Sequence, residues 1–204
     1  MEKFSLIIID RQKDFAKPDG SLYVKGSEDS EEATLKFIDQ NHDFIKDAIL
    51  TVDWHSVNHC SFKRNGGIWP DHCKQYTEGA GISDAIMNRL NEYNIPVKIF
   101  IKGNVDDTEE YGAFNSMGTF VDADGERKCV ANNMACNSFI KFDTHNLVVC
   151  GIAGDYCVKS SIENLLKFNG PFKLNIKVFM DGISSIDDGT TIRNFVKENN
   201  LEVV

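Results

Sequence analysis

Apolar runs of five or six residues recur along this chain, at 4–9, 47–52, 97–101, 147–152 and 176–180, with amphipathic stretches between them. Runs this short and this apolar have the length and character of strands buried on both faces. The intervening segments 30–40, 83–93, 157–168 and 190–198 carry apolar residues at helical spacing, as in Ile162, Leu165 and Leu166. Ser83 stands in the position of an N-cap, with Ile86 and Leu90 facing the core, and residues 201–204 can add a last strand. Alternation of strand and helix demands right-handed crossovers, hence a mostly parallel sheet covered on both faces. The expected fold is a three-layer α/β/α sandwich, with residues 1–204 forming a single domain, since α/β units of this size build around one sheet. In such sheets ligands collect beyond the carboxyl ends of the strands, where the strand order reverses.

Bulk properties narrow the function. With 42% hydrophobic and 26% charged residues the composition is that of an ordinary globular protein with a substantial core. Net charge is −9, from 22 basic and 31 acidic residues, and no run of Lys or Arg could follow a phosphate backbone, which argues against nucleic acid as a partner. The opening residues turn acidic after an apolar run too short for a secretory h-region or a membrane span, so an unexported, cytoplasmic chain without a membrane partner is expected. The six cysteines then read as free thiols rather than disulfides. Assembly into a homo-oligomer stays open.

Two connections, 53–81 and 103–131, exceed the usual loop length of about 4–6 residues, and long ordered loops commonly carry function or form a lid.

Reading outward from the strand ends, the first run finishes at Asp10, the second at Asp53 and His55, the third at Lys102, and the fourth approaches Cys157. Taken singly each has an ordinary explanation: an Asx turn, a solvated lysine, a core cysteine. Gathered on one rim they form a catalytic set. Cys157 sits where an apolar strand enters a Gly-marked turn and opens the next helix, and a helix N-terminus is expected to favour its thiolate. Asp10 can take the thiol proton and later return it to a leaving amine, while Lys102 stabilises both anions, the logic of a Cys-Asp-Lys triad for acyl transfer. The turn at 151–156 can aim the N–H groups of Ala153 and Cys157 at one oxygen as an oxyanion hole.

A second cluster lies beside it. Asp53 and His55 are two apart in extended chain, so their side chains point the same way. With His72 they supply two imidazoles and a carboxylate, leaving positions open to water or substrate as in a catalytic metal site. One divalent ion is expected, zinc first, with iron(II) or manganese as alternatives. His59 is either a fourth ligand or a donor behind the ligands, while His42 and His145 look ordinary. Phe15, Trp69 and Tyr111 can wall a flat ring, or simply pack in the core.

Taken in order, Asp10-Arg11-Gln12-Lys13-Asp14-Phe15, Gly20-Ser21-Leu22, Asp53-Trp54-His55, Trp69-Pro70-Asp71-His72-Cys73, Lys102-Gly103, Tyr111-Gly112-Ala113-Phe114 and Asp155-Tyr156-Cys157-Val158 resemble the motifs of the nicotinamidases, within the isochorismatase-like cysteine hydrolases. The resemblance covers most of the chain. It implies a parallel six-stranded sheet, a triad on Asp10, Lys102 and Cys157, a metal on Asp53, His55 and His72, and a cis peptide before Ala153. The implied reaction is deamidation of nicotinamide, or of a relative such as pyrazinamide, to the acid and ammonia in NAD salvage, through a thioester. Gly154 stands where many members carry Thr, and the acidic segment 104–110 departs from the family pattern. The rival expectations are another isochorismatase-like cysteine hydrolase acting on a different amide, and a non-catalytic protein binding nicotinamide or metal.

Overall fold

The computed structural model describes residues 2–121, 123, 127–133, 136, 138–170 and 172–204. Strands β1 (Phe4–Ile9), β2 (Ile45–Asp53), β3 (Val97–Lys102), β7 (Asn146–Ile152), β8 (Asn175–Ser184) and β9 (Glu202–Val203) form a parallel six-stranded sheet in the order β3-β2-β1-β7-β8-β9. Side chains of β1 alternate between two cores. Leu6 and Ile8 pack with Ile38 of α2 (Ser27–Asn41) and with Ile86 and Leu90 of α3 (Asp84–Glu92). Ile7 and Ile9 join Ile162 and Leu165 of α4 (Lys159–Phe168) and Ile192, Phe195 and Val196 of α5 (Thr190–Glu198). Burial of both faces is why these strands read as continuous apolar runs, and why the molecule has three layers. Ser83 caps α3 as expected, its hydroxyl accepting from the N–H of Ile86 at 3.5 Å.

Strand order runs 3-2-1 on one side and 7-8-9 on the other, so it reverses between β1 and β7. Crossovers leave the sheet in opposite directions there, and a crevice opens at the carboxyl ends of these two strands. Asp10 follows β1, and the turn bearing Cys157 follows β7.

The connection 53–81 is irregular apart from two short 3-10 turns, as its length suggested. The connection 103–131 is not a loop throughout. Beyond residue 115 it folds into an antiparallel sheet of β4 (Ser116–Val121), β5 (Arg127–Asn133) and β6 (Ser138–Lys141). Polar and small residues interrupt any two-residue alternation in these strands, so they gave no periodic signal. Their order comes from pairing and from docking: the Ser138 hydroxyl accepts from the N–H of Ile101 on the edge strand β3 at 2.9 Å, and Phe114, Ala131, Ile140 and Phe142 enter the α4–α5 core.

Candidate active site

β1 ends at Asp10, which adopts a left-handed backbone conformation with φ 44. This turns its carboxyl under the sheet edge, where it is fully buried. The Thr51 hydroxyl donates to Asp10 Oδ1 at 2.5 Å and accepts from the Asp10 N–H at 3.1 Å, so one β2 side chain fixes both ends of the residue. Register places Asp53 directly opposite Lys102 on the neighbouring strand. Lys102 Nζ lies 2.5 Å from Asp53 Oδ1, 2.8 Å from Asp10 Oδ2 and 3.7 Å from Cys157 Sγ. The contact with Asp10 is an ion pair in which both side chains are wholly out of solvent. Asp10, Lys102 and Cys157, from three separate strand ends, therefore meet within one buried cluster.

The charges divide unevenly. Burial works against every ion here, and the balance differs from group to group. Burial would lower the Lys102 ammonium, yet Asp10 and Asp53 together hold it well above its ordinary value. For Asp53 burial is outweighed by Lys102 and His55, and its carboxyl falls far below the usual range. For Asp10 burial prevails over Lys102, with Asp53 adding to it, and the carboxyl is raised. Burial also raises the Cys157 thiol well above its ordinary value, against the pull of Lys102 and with Asp10 and Asp53 reinforcing the rise. The expectation of a thiolate favoured by a helix start is corrected accordingly. Cys157 lies in a π-type turn, Gly154–Val158, ahead of α4, and burial beside two carboxylates outweighs a partial helix charge.

Asp53, His55 and His72 converge, with their ligand atoms all within 4.8 Å of one another. His55 Nδ1 faces the Gly103 carbonyl at 2.6 Å and His72 Nδ1 faces the Pro70 carbonyl at 2.8 Å. A carbonyl can only accept, so both imidazoles carry hydrogen on Nδ1, and in its neutral form each keeps a lone pair on Nε2. His55 Nε2 is buried with no hydrogen-bond partner, 3.5 Å from Asp53 Oδ2. An orphaned acceptor beside a carboxylate and a second imidazole, each ring braced by a carbonyl, fits a divalent cation. His59 stacks on His55 at 4.0 Å between ring centroids, but its Nδ1 meets the Ser61 hydroxyl at 2.8 Å and its Nε2 the Thr108 carbonyl at 3.2 Å. Burial depresses it to about 4, with His55 adding to the fall, so it packs as a neutral ring behind the ligands.

Above the thiol a cavity is lined by Phe15, Trp69, Tyr111 and Tyr156 together with His72 and Ala153. The Trp69 indole donates to the Tyr111 hydroxyl at 3.1 Å, and Tyr156 meets both rings at 5.2 Å. All three aromatics anticipated from the sequence reach this cavity. Tyr156 reaches it too, from the motif that carries Cys157, as do Glu109 and Ile186, which no local pattern marked. The peptide between Ile152 and Ala153 is cis.

Contacts also explain the rest of the opening motif. Gln12 donates to the Asp53 carbonyl at 2.8 Å and accepts from the Asp53 N–H at 2.7 Å, clamping the end of β2. Asp14 accepts from the Cys73 N–H at 2.7 Å and so tethers the segment that carries His72. Thr51 was missed: a lone hydroxyl in an apolar strand, directly before Val52-Asp53, was the signal available.

No protein-family model matches the chain. It is 29% identical to the nicotinamidase of Saccharomyces cerevisiae across 98% of both chains. Among solved structures, PnC1 from L. infantum in complex with nicotinate superposes with a TM-score of 0.71 at 28% identity, covering 99% of this chain and 92% of that one. The pyrazinamidase of Pyrococcus horikoshii in complex with zinc has the same fold, with a TM-score of 0.70 at 22% identity over 99% of this chain and 98% of that one. In sequence over its whole length, and in the course of its backbone, the chain is a homologue of the nicotinamidases.

Proposed function

We propose that this amidohydrolase converts nicotinamide to nicotinate and ammonia in NAD salvage, through a thioester on Cys157 and with a divalent metal ion, zinc in the first instance. The observation that carries the reading is the sharing of Lys102: one buried cation touches the carboxylate of the triad and the carboxylate of the metal cluster, directly beneath a cavity walled by aromatic rings. The six free cysteines, and a described structure in which no helix is long and apolar enough to cross a membrane, support a cytoplasmic setting.

Asp53, His55 and His72 would hold the ion, which when bound supplies a Lewis-acidic anchor for a ring nitrogen. Phe15, Trp69 and Tyr111 enclose the flat ring and exclude water, so that the carboxamide carbon faces Cys157 Sγ. The Asp10 carboxylate, ion-paired to Lys102 and raised by burial above an ordinary carboxylate, takes the thiol proton as sulfur attacks the carbon. The N–H groups of Ala153 and Cys157 receive the oxyanion. Asp10 passes its proton to the departing nitrogen, the C–N bond breaks, and ammonia leaves a thioester. Water, deprotonated by Asp10, then cleaves the C–S bond, and the proton returns to sulfur as nicotinate is released. Lys102 remains a cation throughout and offsets whichever of its neighbours is ionised.

Ammonia release from nicotinamide by the purified protein tests the proposal, with and without chelation and in Cys157→Ala. Turnover is expected from metal-replete wild type, with a loss of at least about a thousandfold in the alanine variant. Undiminished release by Cys157→Ala would refute the covalent route, and no release by wild type would direct attention to a different amide.

A further inference from the structure

We infer that Glu110 is a positioning residue that couples the lysine of the triad to the metal-facing imidazole of His55. The inference rests on the function proposed above only where turnover is read. Gly103 is the joint between the two. Its φ is +66, and a Cβ there would meet His55 Cε1 at 2.6 Å, His55 Nδ1 at 3.0 Å and Asp53 Oδ1 at 3.1 Å, so only glycine lets the chain cross so close to this pair. The Gly103 carbonyl accepts from His55 Nδ1 at 2.6 Å, which leaves the Nε2 lone pair turned to Asp53 and His72. Its N–H donates to Glu110 Oε2 at 2.9 Å. The backbone carbonyl of Glu110, in turn, accepts from Lys102 Nζ at 3.2 Å.

The rest of the Glu110 carboxylate is engaged by the antiparallel sheet and its approach. Asn133 Nδ2 lies 3.2 and 3.1 Å from the two oxygens, Asn115 Nδ2 donates to Oε1 at 2.5 Å, and Cys136 Sγ is 3.7 Å from Oε2. The adjacent Glu109 lines the substrate cavity, whereas the Glu110 oxygens are spent on protein donors. Glu110 thus acts through Gly103 and Lys102 rather than on substrate. It anchors the loop after β3 to the second sheet, so that one carboxylate sets the tautomer-fixing carbonyl of His55 and the third acceptor on Lys102. This also gives the second sheet a task that the site itself does not reveal.

Zinc affinity, measured by competition with a chromophoric chelator, is the primary test, because it uses no amide. Glu110→Ala is expected to bind zinc about 10- to 100-fold more weakly than wild type and to lose kcat for nicotinamide, and Glu110→Gln, which keeps an oxygen for the Gly103 N–H, to recover most of the affinity. A purely structural role would lower the melting temperature of the metal-free variant and leave its zinc affinity unchanged. If Glu110→Ala does not fold, Glu110→Asp, one methylene short of Gly103, gives the same reading. Zinc affinity within twofold of wild type in the folded variant, or a wild type that binds no zinc, overturns the inference. A wild type that binds zinc tightly but leaves nicotinamide intact would refute the proposed function and leave the role of Glu110 standing.

Discussion

Lys102 is one cation between two carboxylates, and that imbalance separates their roles. Asp53 also faces His55 and stays ionised, the state a metal ligand needs. Asp10 keeps the burial penalty with less compensation and becomes the more basic of the two, the state a proton acceptor needs. Burial raises the Cys157 thiol in parallel, with Asp10 and Asp53 reinforcing the rise against the pull of Lys102. Replacing Asp10 by Asn keeps the shape and removes the base. The expected result is a fall in kcat of about 100- to 10,000-fold, with the affinity for nicotinate preserved as the sign of an intact pocket. A loss smaller than tenfold would assign the proton transfer to another group.

Among elements, the turn between β7 and α4 carries the most chemistry in the fewest residues. Its Gly154 is held in a closely packed place. A Cβ at Gly154 would run into the Ser185 hydroxyl and would lie 2.8 Å from Ile183 Cγ2 and 3.1 Å from Ile192 Cγ2. The start of α5 and the end of β8 therefore press directly on this turn. Gly154→Thr is expected to cost about 1–3 kcal/mol through overpacking, read as a lower denaturant midpoint, and to slow turnover by shifting Cys157. Stability and rate equal to wild type would show that Ser185 and the two isoleucines yield freely. Asp155, next in the turn, accepts from the N–H groups of Ile186 and Asp187 at 2.9 and 3.0 Å, which ties the rim residue Ile186 to the nucleophile's own loop.

At the scale of the molecule, four neighbouring strands of the sheet, β3, β2, β1 and β7, deliver Lys102, Asp53, Asp10 and Cys157 to one crevice, and the long connection after β2 closes back over it to deliver His72. A bound ion joins elements that the backbone alone leaves independent. Its removal is therefore a test of the whole assembly: saturating zinc at about 100 times its Kd should add roughly 2.7 kcal/mol to the stability of the chelated protein, a rise of roughly 5–10 °C in melting temperature for a domain of this size. Calorimetry with and without the ion measures it, and an unchanged melting temperature would mean that the cluster of Asp53, His55 and His72 holds no metal in the folded state.

The sequence by itself determined the layered fold and singled out Asp10, Asp53, His55, His72, Lys102 and Cys157, which the structure brings close together. Burial on both faces wrote β1, β2 and β7 as largely apolar runs, helical spacing marked α3 and α5, and a charged or nucleophilic residue at or just beyond the end of these runs stood out against its apolar neighbours. These signals are local, so they survive without the fold. The tertiary structure alone decided the rest, because the rest depends on groups far apart in the chain. Asp10 and Asp53 are both strand-end aspartates, and only their surroundings separate them: burial raises the carboxyl of Asp10, whereas Lys102 and His55 outweigh burial and hold that of Asp53 low. Burial, and carboxylates some hundred residues away or more in the chain, raise the Cys157 thiol. Thr51, Gln12, Asp14 and Glu110 carry no periodic mark, since their work lies in single hydrogen bonds across the sheet, and the antiparallel strands β4 to β6 acquire their order from one another and from the edge of β3.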